Sequence, residues 1–345
     1  MALLAAAAVI AAGCGGSTSS PAASDTLVAI GAGLRGPAGL RATVYAEAPV
    51  NVAAFASDDQ GRLWLATADY ADAGRDGIYV IPAPGADAVA VVTGLHTPLG
   101  LVWDGASLYA SSKAGVDAYS DFDGVHFANH RTVLTLPDGV GESNGLAVAP
   151  DGRLTMGISA PCDSCTPTSP WSAAVVSFLP DGRDLRVEAG GIRAPVGLAY
   201  VPGTSDLFVT MNQRDNLGDQ TPGDWLAVVR QGQAWGFPDC FGQAGAACAG
   251  VPKPTAVLDK HAAVSGLAIV TGGLGPAVGT SALVAEWATG KVQRAALARQ
   301  GADWTATVSP FLTGVKSPVA LLVAHQSTLL VGDWSTGTVY AVSPA

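Results

Sequence analysis

Charge is scarce in this chain, and positive charge is scarcer still. Of 345 residues only 13% are charged, and 18 Lys and Arg stand against 28 Asp and Glu, a formal net charge of −10. No cluster of basic residues interleaved with aromatics occurs, which argues against nucleic acid as a partner. Helical patterning is missing as well: no stretch after residue 30 sustains an amphipathic period. The catalytic motifs that need a strand-to-helix turn, the GxSxG elbow, the Walker loop and the dinucleotide fingerprint, therefore have no setting, and HExxH does not occur. Histidine is limited to five residues that form no evident constellation. His126, His130 and His325 read as surface turn residues, whereas His96 and His261 stand on loops that lead into strands.

What the chain does have is glycine, proline and a recurring phrase. The phrase is a Pro or Gly turn, a small-apolar pair, an alternating strand, a polar turn and a second alternating strand. Clean copies are NGLAVAPDGRLTMGIS from Asn144, PVGLAYVPGTSDLFVTMN from Pro195 and PLGLVWDGASLYASS from Pro98. Weaker copies start near Val52, Ser265 and Pro318. The anchors Ala54, Gly100, Gly145, Gly197, Gly266 and Ala320 are separated by 46, 45, 52, 69 and 54 residues. Period-two alternation bounded by Pro-Asp-Gly turns at 150–152 and 180–182 makes these copies strand pairs. A β-type repeat near this length predicts an all-β, six-bladed β-propeller. Closure into a ring is then the main source of stability, and function belongs on the loops at one end of the central channel. Residues 39–50 are placed to supply the outermost strand that fastens the ring.

The N-terminus reads MALLAAAAVIAAGCGGSTSSPAASD: an apolar run too short to span a bilayer, a small-residue site, a cysteine and a Gly/Ser/Pro/Ala tether. It resembles a bacterial lipoprotein signal with Ala11-Ala12-Gly13-Cys14 as the lipobox, although the usual basic segment is missing. The resemblance divides the chain into a signal at 1–14 ending at a lipidated Cys14, a tether at 15–38 and the propeller at 39–345. It implies an exported, membrane-anchored protein, periplasmic or on the cell surface. In an oxidising compartment Cys162 with Cys165 and Cys240 with Cys248 read as two local disulfide clips. A four-thiolate zinc site and a redox CxxC pair are the alternatives, the latter without the βαβ context it needs.

The longest step between anchors holds the most specific text. RxPxGL at Arg193–Leu198, NxRDxLGDxxPxDxL at Asn212–Leu226 and GxxWGxPxC at Gly232–Cys240 follow one another in fixed order. Together they resemble the sorbosone dehydrogenase branch of the soluble quinoprotein glucose dehydrogenase family, six-bladed propellers that bind pyrroloquinoline quinone and calcium. The likeness extends over roughly residues 45–343. Asp215, Asp219 and Asp224 are spaced on a Gly-containing loop in the manner of oxygen ligands for a hard cation such as Ca2+. The alternative is a solvated loop whose aspartates cap turns. Arg193 is the candidate to fork onto a carboxylate of the quinone, or else to pair with a loop aspartate such as Asp215.

The departures from the family are as informative. The family's general-base histidine falls on Gly141, which cannot take a proton; Glu142 beside it is the candidate substitute base, unless GVGES is simply a turn. The Asn that follows the family's arginine is Ala194 here. The cofactor-facing lysine falls on Trp287 or Ala288, leaving Lys291, Lys316 and the top-face His96 as possible replacements. Trp225, Trp235 and Trp287 either line a sugar-binding mouth or pack between blades. Two functions follow as expectations: a quinone-dependent dehydrogenase of a sugar or related alcohol, with altered or reduced activity, or a non-catalytic binding or scaffold propeller with an eroded cofactor site.

Overall fold

Six glycine and alanine anchors recur because six inner strands crowd one axis. In the computed structural model these strands are Val52–Ser57, Gly100–Asp104, Ser143–Val148, Pro195–Tyr200, Val264–Thr271 and Pro318–Ala324, each contacting the next and the last contacting the first. The structure describes residues 26–71, 73–113, 115–243, 245–325 and 327–345; Cys14 and the signal-like segment lie outside the described residues. A Cβ on Gly100 would lie 2.7 Å from the Asn144 carbonyl oxygen, and on Gly145 2.7 Å from that of Val196. On Gly197 it would lie 2.3 Å from the oxygen of Ser265, and on Gly266 2.2 Å from that of Val319. Each of the four glycine anchors thus presses on the backbone of the following blade, where a side chain does not fit. The repeat seen in the sequence is the trace of this packing.

Each inner strand starts a sheet, antiparallel throughout except for the short parallel strand Gln233–Ala234 at the outer edge of blade three, and the six sheets are the expected six blades. Val52–Ser57 continues through Leu63–Thr67, Asp76–Ile81 and Val89–Leu95 as blade one, and the following blades are built likewise. No α-helix occurs among the described residues, only 3-10 turns at Gly218–Gln220 and Ala246–Cys248. Apolar residues facing out of both sides of every sheet fill the gaps between blades. One buried cluster joins blades one and two around Trp64, Ile78 and Leu108, another blades two and three around Leu134, Met156 and Phe178. Four more continue the ring to the seam between blades six and one, which holds Val52, Leu65, Leu330 and Val339. Stability is distributed over six interfaces, so a closed ring leaves no face uncovered.

The seam is fastened by the N-terminal strand Leu40–Glu47, which pairs antiparallel with the C-terminal strand Thr338–Pro344. Residues 39–50 therefore do the work expected of them. Ordered structure also begins before residue 39. Val28–Gly31 and Leu34–Gly36 form a hairpin, and Arg35 pairs with Thr313 to extend blade five to six strands. The glycines that read as tether supply its turn, with φ of 107° at Gly31 and 77° at Gly33, values that L side chains avoid.

Register shifts interrupt five inner strands where they leave the top of the channel, for example between Ser143 and Leu146 and between Pro195 and Leu198. Such bulges re-aim the local side chains. Here they turn the residues just before the anchors, Asn144, Val196, Ser265 and Val319, toward one cavity.

Candidate functional site

The loops that leave the second strand of each blade gather over the upper end of the channel and enclose a cavity of about 920 Å³. Blade one contributes Asp69 and Tyr70, blade two Lys113, blade three Ser159–Asp163, blade four Asn212, Gln213 and Asp215, blade five Trp287 and Ala288, and blade six Trp334. The linkers between blades add Glu142, Arg193 and His261. Five carboxylates, those of Asp69, Glu142, Asp163, Asp215 and Asp224, thus face a space that holds two permanent cations, Lys113 and Arg193.

Glu142, the candidate base, lines this cavity. Burial raises its carboxyl above the ordinary range, and the Lys113 ammonium opposes the shift. Beside it, Gly141 has no room for any side chain, because a Cβ there would lie 2.1 Å from the Ser159 carbonyl oxygen and 2.7 Å from that of Ala160. The backbone has closed where a longer side chain would stand. Arg193 reaches the cavity wall but is spoken for. Its Nη2 donates to Asp163 Oδ1 at 2.6 Å, its Nε to the Asp163 carbonyl at 3.0 Å and its Nη1 to the Asn212 carbonyl at 3.1 Å. Its partner is Asp163, not the Asp215 weighed from the sequence.

The three aspartates expected to hold calcium do not converge. Asp215 Oδ1 meets His261 Nδ1 at 2.8 Å, and His261 Nε2 meets the Gly218 carbonyl at 2.9 Å. The carbonyl can only accept, so both ring nitrogens donate when the imidazole is protonated. The Asp215 and Gly218 contacts accordingly raise its pKa. Asp219 sits apart on the exposed turn, its carbonyl taking the Lys260 ammonium at 3.2 Å. Asp224 is buried at 3% exposure and spends its two oxygens on the N–H groups of Gln213, at 2.8 Å, and Val264, at 3.4 Å. Burial pushes its carboxyl up to about 6, against those two hydrogen bonds. It staples blade four to blade five. Asp76 in blade one and Asp333 in blade six make the same kind of bond to backbone N–H groups. Among the described residues no group of three or more His, Cys, Asp or Glu side chains is arranged to hold a metal ion.

Other candidates are also placed away from the cavity. Lys291 pairs with Asp259 and, at 3.7 Å, with the fully buried Glu286, its reach being set by the strand that carries it. Lys316 is exposed and engages Asp333 through its backbone, and His96 is exposed beside Gly74. Trp225 and Trp235 stack on each other at 4.7 Å in the core between blades three and four. Of the three tryptophans considered, Trp287 alone lines the cavity, 41% exposed and edge-on to Trp334. Both expected disulfides, Cys162–Cys165 and Cys240–Cys248, are formed, which settles the thiols as clips and removes the zinc alternative. Sequence reasoning missed Asp163, Tyr70 and Lys113. Aligning the six segments that follow each second strand would have found them, since all three occupy that position in their blades.

Tested against these residues, a calcium-bound tricarboxylic quinone does not fit. The oxygen ligands are dispersed, the arginine is engaged, and carboxylates outnumber cations around the space that three further carboxylates would enter.

Comparison with known proteins places the architecture. No protein-family model matches the sequence, and no curated protein sequence is detectably similar to it. Solved structures do match. The holo form of the pyranose dehydrogenase PQQ domain from Coprinopsis cinerea is 17% identical, with a TM-score of 0.73 over 90% of this chain and 97% of that one. The PQQ-bound aldose sugar dehydrogenase from Streptomyces coelicolor is 18% identical, with a TM-score of 0.71 over 89% and 99%. The apo form of the soluble aldose sugar dehydrogenase from Escherichia coli is 17% identical, with a TM-score of 0.68 over 89% and 100%. The chain has the six-bladed fold of these sugar dehydrogenases along nearly its whole length, as a divergent structural relative.

Proposed function

We propose that this chain is a sugar-binding propeller built on the dehydrogenase scaffold, which takes a sugar or related alcohol into the upper cavity without a quinone–calcium centre. The observation that carries this reading is the make-up of the cavity. An exposed indole, Trp287, lines the same cavity as Glu142 and Asn144, and the one arginine among the described lining residues is already paired. Sugar rings present C–H faces that pack on indole and hydroxyls that donate to carboxylates, so the walls match an uncharged polyhydroxy ligand. The signal-like N-terminus supports export and tethering through Cys14 as part of the same proposal.

A second reading is favoured by Glu142. A carboxylate with a raised pKa in the cavity is suited to accept a proton from a ligand hydroxyl, as oxidation of an alcohol requires. On that reading the chain is a dehydrogenase of a sugar or related alcohol, as expected from the sequence resemblance, and the quinone and Ca2+ which that resemblance implies would have to displace the Arg193–Asp163 pair.

One titration separates the two. The protein is titrated with aldoses by calorimetry, alone and after incubation with pyrroloquinoline quinone and Ca2+, and dye reduction is followed in parallel. The first reading expects sugar binding that weakens about tenfold in Trp287→Ala, with no dye reduction. Quinone-dependent dye reduction that is lost in Glu142→Gln would replace it with the second.

A further inference from the structure

Asp163 is the most heavily used side chain at the cavity wall. It stands inside the four-residue loop closed by the Cys162–Cys165 bridge. Its Oδ1 accepts from Arg193 Nη2 at 2.6 Å and from the Asp215 N–H at 3.0 Å, and its Oδ2 accepts from the Asn216 N–H at 3.0 Å. Its neighbour Ser164 accepts from Asn216 Nδ2 at 3.3 Å. One carboxylate therefore joins the disulfide loop of blade three, the linker into blade four and the 212–218 loop. Burial acts to raise its pKa, but the two N–H groups and the guanidinium outweigh that and hold it below the usual carboxylate range. The ion pair is partly buried, with 17% of the Arg193 side chain and 32% of the Asp163 side chain exposed, so it is screened less than a surface pair.

This arrangement decides what Arg193 can offer a ligand. The Nε–Nη2 edge, the side-on fork that would grip a carboxylate, is filled by Asp163, and the one N–H left on each Nη belongs to a cation that its partner already neutralises. With Asp163 in place, the wall between blades three and four is electrically neutral and the cavity's carboxylates set its field. Without it, a cation would stand at the same wall. We propose that Asp163 sets the charge selectivity of the cavity: by withholding Arg193 it admits uncharged polyhydroxy compounds and turns away carboxylates. The proposal rests on the reading of this cavity as the ligand site and names the residue that fixes its ligand class. Asp163 is a positioning residue, acting through Arg193.

The test compares wild type, Asp163→Asn, Asp163→Ala and Asp163→Ala/Arg193→Ala. Calorimetry measures binding of glucose, citrate and pyrroloquinoline quinone, and hydrogen exchange reads the amides of Asp215 and Asn216. Both single variants should bind the two carboxylate probes at least about tenfold more tightly than wild type, while glucose affinity changes by less than about threefold. The double variant should lose the gain. A purely structural role would lower amide protection at 215 and 216 without tightening carboxylate binding, and that result overturns the proposal. If Asp163→Ala does not fold, Asp163→Asn, which keeps an acceptor for the loop amides, gives the same readout. Glucose binding in wild type with no carboxylate gain in the variants defeats this inference alone. A carboxylate gain with no glucose binding in any form defeats the sugar reading alone, and no binding of any probe defeats both.

Discussion

At the scale of single residues, the upper face is organised by polar side chains that hold loops to one another. His261 is the clearest case, bridging Asp215 and the Gly218 carbonyl from the linker into blade five. Its pKa is raised, so its protonated form is favoured in the folded chain. The stabilisation is fully present below the ordinary histidine value of about 6.5 and is lost as pH rises through the raised value. The His261 imidazole should therefore titrate at higher pH in wild type than in Asp215→Asn when followed by NMR, and the 212–218 amides should lose exchange protection over the same interval. Equal titration in the two proteins would mean that the pair is not formed. Individual partners of this kind were not legible in the sequence. Arg193 and Asp163 are 30 residues apart, and Asp215, the nearer carboxylate in sequence, sits in the same loop cluster but is taken by His261. Only the folded loops decide between two nearby carboxylates. The partner of Lys291, expected among the cofactor contacts, was hidden for the same reason: its strand directs it to Asp259.

At the scale of elements, the repeat was legible because packing writes it directly. Four glycine anchors contact the backbone of the following blade, so the small residue recurs at every such step. Gly197→Val should demonstrate this. Its side chain would meet the Ser265 carbonyl and Leu267, and overpacking there should cost about 2–3 kcal/mol, seen as a lower denaturant midpoint. An unchanged midpoint would show that blades four and five do not approach as closely as described. The bulges above the anchors were not legible, since an extra residue in a strand has no composition of its own. They are nonetheless what turns Asn144, Val196, Ser265 and Val319 into the cavity. The hairpin at 28–36 was hidden for another reason: glycines that make a tight turn and glycines that make a tether are alike without the strands that pair around them.

At the scale of the whole molecule, closure is the organising fact. The strand Leu40–Glu47 pairs with Thr338–Pro344 to close blade six, whereas the hairpin before it widens blade five and adds Ile30 and Leu34 to the core between blades five and six. Removing residues 26–36 takes Ile30 and Leu34 from that core and should leave a folded, monodisperse protein that still unfolds cooperatively, at a lower Tm. Removing residues 26–47 exposes the edge of Thr338–Pro344 and the apolar seam between blades six and one, and should give aggregation and broad, non-cooperative unfolding. Similar behaviour of the two truncations in calorimetry and light scattering would contradict the role given to the closing strand. A ring held in this way keeps six loops in register over one hollow, and the ligand reading depends on that hollow. The most direct measurement is a crystal structure of the full chain soaked with glucose. A sugar ring should lie in the upper cavity, packed on Trp287 with hydroxyls on Glu142 and Asn144 and with the Arg193–Asp163 pair intact. Density for the sugar elsewhere, or a quinone and calcium bound at Arg193 after reconstitution, would contradict it.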